Sequence, residues 1–190
     1  MSRSREGINP PTPDELMAAH ERIRPHAHHT PVLTSSYLDE QLGAQLFFKC
    51  ENFQKVGAFK FRGACNAVFT LTPEELARGV VAHSSGNHAQ ALALAARLRG
   101  AQATIVMPDN SAAVKLAAVA DYGARIVTCP PGAAARESAL TRVMDQTGAT
   151  LIHPFNDARI IAGQGTAAKE LLEEIPELDQ IGRASCRERV

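Results

Sequence analysis

From Val80 to His153 the chain repeats one unit, a strand-length apolar run followed by a helical segment that stops at or near glycine. Val80–His83, Ala103–Met107, Arg125–Cys129 and Thr150–His153 read as strands. Asn87–Arg99, Ala112–Tyr122 and Ala133–Gln146 read as the helices between them, closed at Gly100, at Gly123 and near Gly148. Short apolar strands separated by helices pair in parallel through right-handed crossovers, and such a sheet is covered by helices on both faces. The expected class is therefore α/β.

Upstream, Thr12-Pro-Asp-Glu15 is a capping box with proline at the first helical position, which predicts a helix to about Ile23. Thr30–Thr34 reads as extended. Ser35 or Ser36 caps a helix through Leu42 that ends at Gly43, and Leu46–Cys50 reads as a strand. Phe59–Leu71 has helical periodicity, Thr72-Pro-Glu-Glu75 is a second capping box, and a last helix runs from about Ile160 to Glu174, before Pro176.

Composition narrows the functional classes. Twenty Lys and Arg balance twenty Asp and Glu, so neither nucleic acid nor a membrane surface is expected as a partner. Hydrophobic residues make up 45% of the 190, enough for a sizeable core. No stretch of about eighteen apolar residues occurs, and Met1–Ile8 is polar. Cys50, Cys65, Cys129 and Cys186 are spaced for neither a disulfide framework nor paired zinc ligands. A cytoplasmic protein is the expectation.

The segment Gln54-Lys-Val-Gly-Ala-Phe-Lys60-Phe-Arg-Gly-Ala64 carries the first candidate chemistry. Lys60 falls in the first turn of a predicted helix, where the positive dipole end and the nearby Lys55 and Arg62 disfavour an ammonium. Phe59 and Phe61 give it an apolar setting that a solubilising lysine does not need. A neutral amine of this kind is what Schiff-base chemistry with a carbonyl cofactor requires. The second segment, His83-Ser-Ser-Gly-Asn-His88, lies between a strand and a helix. Small residues there let the backbone approach an anion while the helix start attracts it, so a carboxylate or phosphate fits. An ordinary helix cap accounts for the same Ser and Asn residues, and by itself this segment leaves the two readings level.

Together these segments resemble the fold-type II pyridoxal-phosphate enzymes, specifically the threonine/serine dehydratase and serine racemase group. The resemblance spans about Glu15 to Asp179 and includes Thr30-Pro-Val-Leu-Thr-Ser-Ser, Met107-Pro-Asp, Tyr122-Gly-Ala and Ile161-Ala-Gly-Gln-Gly-Thr in the family's order. It implies parallel three-layer sheets like those of the tryptophan synthase β chain, and pyridoxal 5'-phosphate as cofactor. It makes Lys60 the lysine that binds the cofactor and the base on one face of the substrate α-carbon, with Phe59 walling the ring. Asn87 would hydrogen-bond the cofactor's phenolic oxygen. Ser84, Ser85, Asn87 and His88 would hold the substrate carboxylate, Arg136 would approach it, and Ser85 would work on the face opposite the lysine. The implied reaction is conversion of L-threonine or L-serine to a 2-oxo acid and ammonia. Serine racemisation is the alternative, and a homologue that binds an amino acid without chemistry is the non-catalytic one. His153-Pro-Phe-Asn-Asp resembles the dehydratases more, because the animal racemases have a polar residue where Phe155 stands.

By the same resemblance, residues 1–52 begin a large domain, 53–155 form a small α/β domain, and 156–180 return to the large one. A homo-oligomer, dimer or tetramer, is implied for the parent. Ile181–Val190 (IGRASCRERV) resembles a translated sequencing adapter and is set aside from fold reasoning. The expectation is thus of a natural sequence cut near Gln180. The family's phosphate loop and any divalent-cation site would follow Asp179, and the cut chain alone is expected to be inactive.

Three other features read as decoys. Gly163-Gln-Gly-Thr-Ala-Ala168 fits a loose dinucleotide pattern, but it sits at a helix start rather than after a strand. His26, His28 and His29 read as a solvated loop without carboxylate partners, and no residue is assigned to a metal. Glu170, Glu173 and Glu174 read as a solvated helix face.

Overall fold

The computed structural model describes residues 9–182, so Arg183–Val190 of the adapter-like tail lies outside the described residues. In chain order the regular elements are α1 (Pro13–Ile23), β1 (Val32–Leu33), α2 (Ser36–Leu42), β2 (Phe48–Lys49), α3 (Lys60–Phe69), α4 (Pro73–Arg78), β3 (Val80–His83), α5 (Asn87–Leu98), β4 (Ala103–Pro108), α6 (Ala113–Asp121), β5 (Arg125–Cys129), α7 (Ala133–Thr147), β6 (Thr150–Leu151) and α8 (Ala158–Glu174).

Both capping boxes form as read. Thr12 N–H donates to Glu15 at 2.8 Å while Glu15 N–H donates to the Thr12 hydroxyl at 3.3 Å, and Thr72 with Glu75 repeats the arrangement at 2.9 and 3.2 Å. Two otherwise orphaned donors are satisfied at each helix start, and Pro13 and Pro73 forfeit no bond because first-turn amides have no intrahelical acceptor. The Ser35 hydroxyl caps α2, and Gly43 ends it at φ +63°.

The main sheet is parallel, with strand order β5-β4-β3-β6. Alternation along its central strands sorts the core into two halves. Val80, Ala82, Ile105 and Met107 face the side covered by α3 and α5, whereas Val81 and Val106 face Ala139, Leu140 and Val143 of α7. The expectation of a parallel sheet covered on both faces holds.

Two strands are shorter than read. β1 and β2 form only a two-residue antiparallel pair, Val32 with Lys49 and Leu33 with Phe48. β6 pairs with β3 through Thr150 and Leu151 and stops there. At the next residue the Ile152 carbonyl accepts from the His88 imidazole at 3.0 Å.

Helices α3 and α8 cross with their backbones almost touching. A Cβ placed on Gly163 would lie 2.6 Å from the Arg62 carbonyl oxygen and 2.8 Å from the Gly63 Cα, and one placed on Gly63 would lie 2.9 Å from the Ile160 carbonyl oxygen. The Gly163-x-Gly165 pattern is therefore a helix-crossing contact inside α8, not a phosphate turn. Among the described residues no helix is long and apolar enough to cross a membrane.

Gly163→Ala is expected to lower stability by about 1–3 kcal/mol through overpacking at the crossing, although alanine is the better helix former. Urea unfolding measures it, and an unchanged or raised midpoint would contradict the crossing.

Candidate functional site

Lys60 is delivered by a strained turn. Two short 3₁₀ turns, Glu51–Phe53 and Lys55–Gly57, precede α3, and buried Gln54 pins them to the N-terminal segment. Its side-chain oxygen accepts from the His28 and Lys55 amides, each at 2.9 Å, and its amide donates to the His28 carbonyl at 2.7 Å. Val56 has φ +58° and Gly57 φ +68°; Val56 is the non-glycine residue with positive φ among those described. A β-branched side chain there costs about 1–3 kcal/mol, and such strain persists only where the surroundings over-determine it. The chain then enters α3, whose first residue is Lys60. Its Nζ donates to the Pro154 carbonyl at 2.7 Å and lies 5.2 Å from the Phe59 ring centroid.

Arg62 does not crowd that amine. It is 0% exposed, and its guanidinium binds Glu51 at 2.8 Å and Glu170 at 2.6 Å. The expectation that Arg62 adds repulsion at Lys60 is thereby corrected. Lys55 Nζ sits over the Phe61 ring, 5.4 Å from its centroid.

The Ser84–His88 turn closes the carboxyl end of β3. Ser84 N–H donates to the Val106 carbonyl at 3.2 Å, and the Ser84 hydroxyl accepts from Gly86 N–H at 3.2 Å, so this hydroxyl shapes the turn. Ser85 is half-buried and Asn87 exposed. No side chain caps α5, and although Ala89 N–H donates to the Gly86 carbonyl at 3.0 Å, the Asn87 and His88 amides keep donor capacity for an anion. His88 differs from its expected place in direct contact with a carboxylate. Its ring is 3% exposed, with Nε2 donating to the Ile152 carbonyl at 3.0 Å. It ties α5 to the segment after β6, and the group it offers to a ligand is its main-chain amide.

That segment, residues 152–157, supplies the third wall. His153 Nδ1 accepts from the Asn156 and Phe155 amides at 2.8 and 3.3 Å, which places its proton on Nε2. The His153 ring lies edge-on to His83, 6.2 Å between centroids, and edge-on to exposed Phe155, 4.6 Å away. Burial, with Arg136 next, pushes the His83 imidazole down; burial, with His83 next, does the same to His153. Burial pushes His88 down to about 4, with the Lys60 charge adding to the effect. Two imidazoles that feel the Lys60 charge, His88 and His153, and a third, His83 beside His153, thus favour the neutral form. Arg136, in the first turns of α7, donates from Nε to the Gly132 carbonyl at 3.2 Å and reaches this edge through its charge on His83.

Sequence reading missed a buried ion network beneath Lys60. Glu170 is 4% exposed, not solvated; Glu173 pairs at the surface with Lys169, and Glu174 meets Lys49 at 2.8 Å. Burial pushes the Glu170 carboxyl up, but hydrogen bonds from Arg62 and Lys49 hold it below its ordinary value. The histidine loop is also partnered: His29 lies 3.5 Å from Glu174, His28 Nδ1 is 3.1 Å from the Phe53 carbonyl, and the His26 ring lies 4.3 Å from that of Phe69. Only spatial proximity reveals these pairings, since partners such as His29 and Glu174 lie far apart in the chain. Breaking one side of a buried pair such as Arg62–Glu170 typically costs about 3–5 kcal/mol. A cavity of about 470 Å³ lined by Lys49, Glu51, Phe59, Gln164 and Leu171 lies beside the network and shares Phe59 with the Lys60 edge. Lys60, the imidazoles and the helix-start amides gather at that open edge, not in the cavity.

The His88 shift sets a pH window. The unfolded chain takes up this proton near 6.5 and the folded one only near about 4. Stability is therefore undiminished above the first value and is lost as pH falls from 6.5 toward 4, by about 3 kcal/mol from this residue. Urea midpoints across that range should drop for the wild type and drop less for His88→Gln. Equal drops would contradict the burial of the ring.

Residues 23–183 match the model of the pyridoxal-phosphate dependent enzyme family. The chain is 53% identical over 171 residues to the beta-hydroxyaspartate dehydratase of Paracoccus denitrificans, covering 90% of this chain and 54% of that protein. It is 54% identical over 166 residues to the serine racemase of Arabidopsis thaliana, covering 87% and 50%. The solved threonine deaminase of T.th. superposes with a TM-score of 0.81 at 43% identity, covering 90% of this chain and 54% of that one. The chain thus spans about half the length of the relatives it matches. With the Lys60 turn, the Ser84–His88 turn and the parallel sheet arranged as described, the chain belongs to the fold-type II pyridoxal-phosphate dependent enzyme family.

Proposed function

We propose that the full-length protein containing this chain is a dehydratase that converts L-threonine or L-serine to a 2-oxo acid and ammonia. The observation that carries this reading is the Lys60 amine on the Pro154 carbonyl, at the same sheet edge as the Ser84–His88 turn. The dehydratase and deaminase among the relatives support it.

The residues fit the cofactor. An amine beside an aromatic ring can hold its aldehyde carbon, and Phe59 supplies the ring. Pyridoxal phosphate, when bound, supplies the electron sink that makes the substrate α-C–H acidic. Lys60 then removes and carries the α-proton from one face. The α5 first-turn amides, the Ser85 hydroxyl and the Asn87 side chain grip the substrate carboxylate, and Ser84 holds the turn in shape. Arg136 adds positive charge at the same edge. Buried His88 keeps β6 seated against α5, so that Pro154 stays within reach of Lys60.

The same reading divides the chain into a small α/β unit, residues 53–155, set within a larger one, with the cofactor between them. It also implies a cytoplasmic homo-oligomer, in keeping with the free thiols of Cys50, Cys65 and Cys129.

Serine racemisation is the second reading. Ser85 and Lys60 come from different elements, so a second donor on the opposite face would return the proton with inverted stereochemistry. The Arabidopsis serine racemase relative supports it.

Incubating the full-length protein separately with L-threonine, L-serine and 3-hydroxyaspartate, and measuring both 2-oxo acid and D-isomer, separates the readings. The 2-oxo acid from threonine or serine is expected to dominate and to fall at least about 10²-fold in Lys60→Ala. A dominant D-serine product selects racemisation, and 2-oxo acid from 3-hydroxyaspartate alone overturns the threonine/serine assignment.

A further inference from the structure

The helix that presents Lys60 begins against electrostatic expectation. No side chain caps α3, no acidic residue lies in its first turn, and it opens with two cations, Lys60 and Arg62, at its positive dipole end. Negative charge reaches Arg62 from distant segments. Arg62 Nε and Nη2 donate to the two oxygens of Glu51 at 2.8 Å each, and Nη1 and Nη2 to the two oxygens of Glu170 at 2.6 and 2.8 Å. Nη1 also meets the Thr166 hydroxyl at 3.2 Å, and Nη2 the His28 carbonyl at 3.3 Å.

The carboxylates are themselves held. Thr30 donates to Glu51 at 2.7 Å, and Lys49 lies 3.0 Å from Glu170. One guanidinium therefore joins the 28–30 segment, the turn after β2, α3 and α8. A two-residue step along a helix turns the side-chain direction by about 200°, so Lys60 and Arg62 leave α3 on roughly opposite sides. Fixing one sets the rotation and height of the other.

We propose that Arg62, through its two-carboxylate clamp, is the positioning residue that sets where the Lys60 amine stands at the sheet edge. This rests on the reading of Lys60 as the cofactor-binding lysine. The planar fork is essential to it, because a lysine keeps the charge but cannot engage both carboxylates bidentately.

The test is trapping of pyridoxal phosphate with borohydride on cofactor-free full-length protein, with the modified lysine identified and its rate measured by peptide mass spectrometry. Arg62→Lys and Glu170→Gln are compared with Val143→Ala, which removes core volume on the opposite face of the sheet. Urea midpoints accompany each variant. Selective labelling of Lys60 is expected in the wild type, slowed about tenfold or more in Arg62→Lys and unchanged in Val143→Ala. Glu170→Gln should show the same slowing and decides the matter where Arg62→Lys does not fold. Equal Lys60 labelling in wild type and clamp variants overturns the positioning role and leaves the cofactor reading intact. Wild-type labelling that does not favour Lys60 overturns the cofactor reading, and this proposal with it.

Discussion

Two constraints at the α3–α8 crossing organise the candidate site. Gly63 and Gly163 let the two backbones meet, and Arg62, between them in space, binds carboxylates from both sides of the contact. The crossing removes freedom of separation; the ion network removes freedom of rotation. A buried charge network of this kind seldom adds much net stability over an apolar equivalent, since desolvating the ions offsets their attraction. Its value here lies in geometry. Six polar contacts converge on one side chain two residues from the lysine proposed to carry the chemistry.

Around Lys60 the electrostatic design is the opposite. Where the clamp concentrates charge, the sheet edge removes it: His83, His88 and His153 are all held toward the neutral form, chiefly by burial. On the proposed reading, an anionic substrate would meet helix-start amides and the field of Arg136, with polar groups already committed to fixed bonds behind them. Such preorganisation suits proton transfer at a carbon next to a bound carboxylate, because little rearrangement is needed when charge develops.

Much of this was legible in the residues. The two Thr-Pro-x-Glu boxes, the strand and helix periods and the closing glycines placed most elements to within a few residues, because caps and periodicity are local physics. The Lys60 segment stood out as candidate chemistry by its apolar setting, and the Ser84–His88 turn only once the family resemblance was added. What was not legible depends on distant partners. Glu170 looks like any glutamate on a helix, and only the fold places it against Arg62, 108 positions away. Gly163 and Gly165 imitate a dinucleotide turn until α3 is seen lying against the first and Leu16 of α1 against the second. At the end of β6, Ile152 N–H still donates to the Val81 carbonyl at 2.9 Å while its own carbonyl is taken by His88, a contact 64 positions apart that no strand propensity records.

The claim on which the rest depends is that the Lys60 amine is the group that binds pyridoxal phosphate. Visible absorbance of the purified full-length protein, with and without added cofactor, addresses it directly. The account predicts the visible band of a lysine-bound pyridoxal phosphate in the wild type and its loss in Lys60→Ala with the fold preserved. The same band persisting in Lys60→Ala would contradict it.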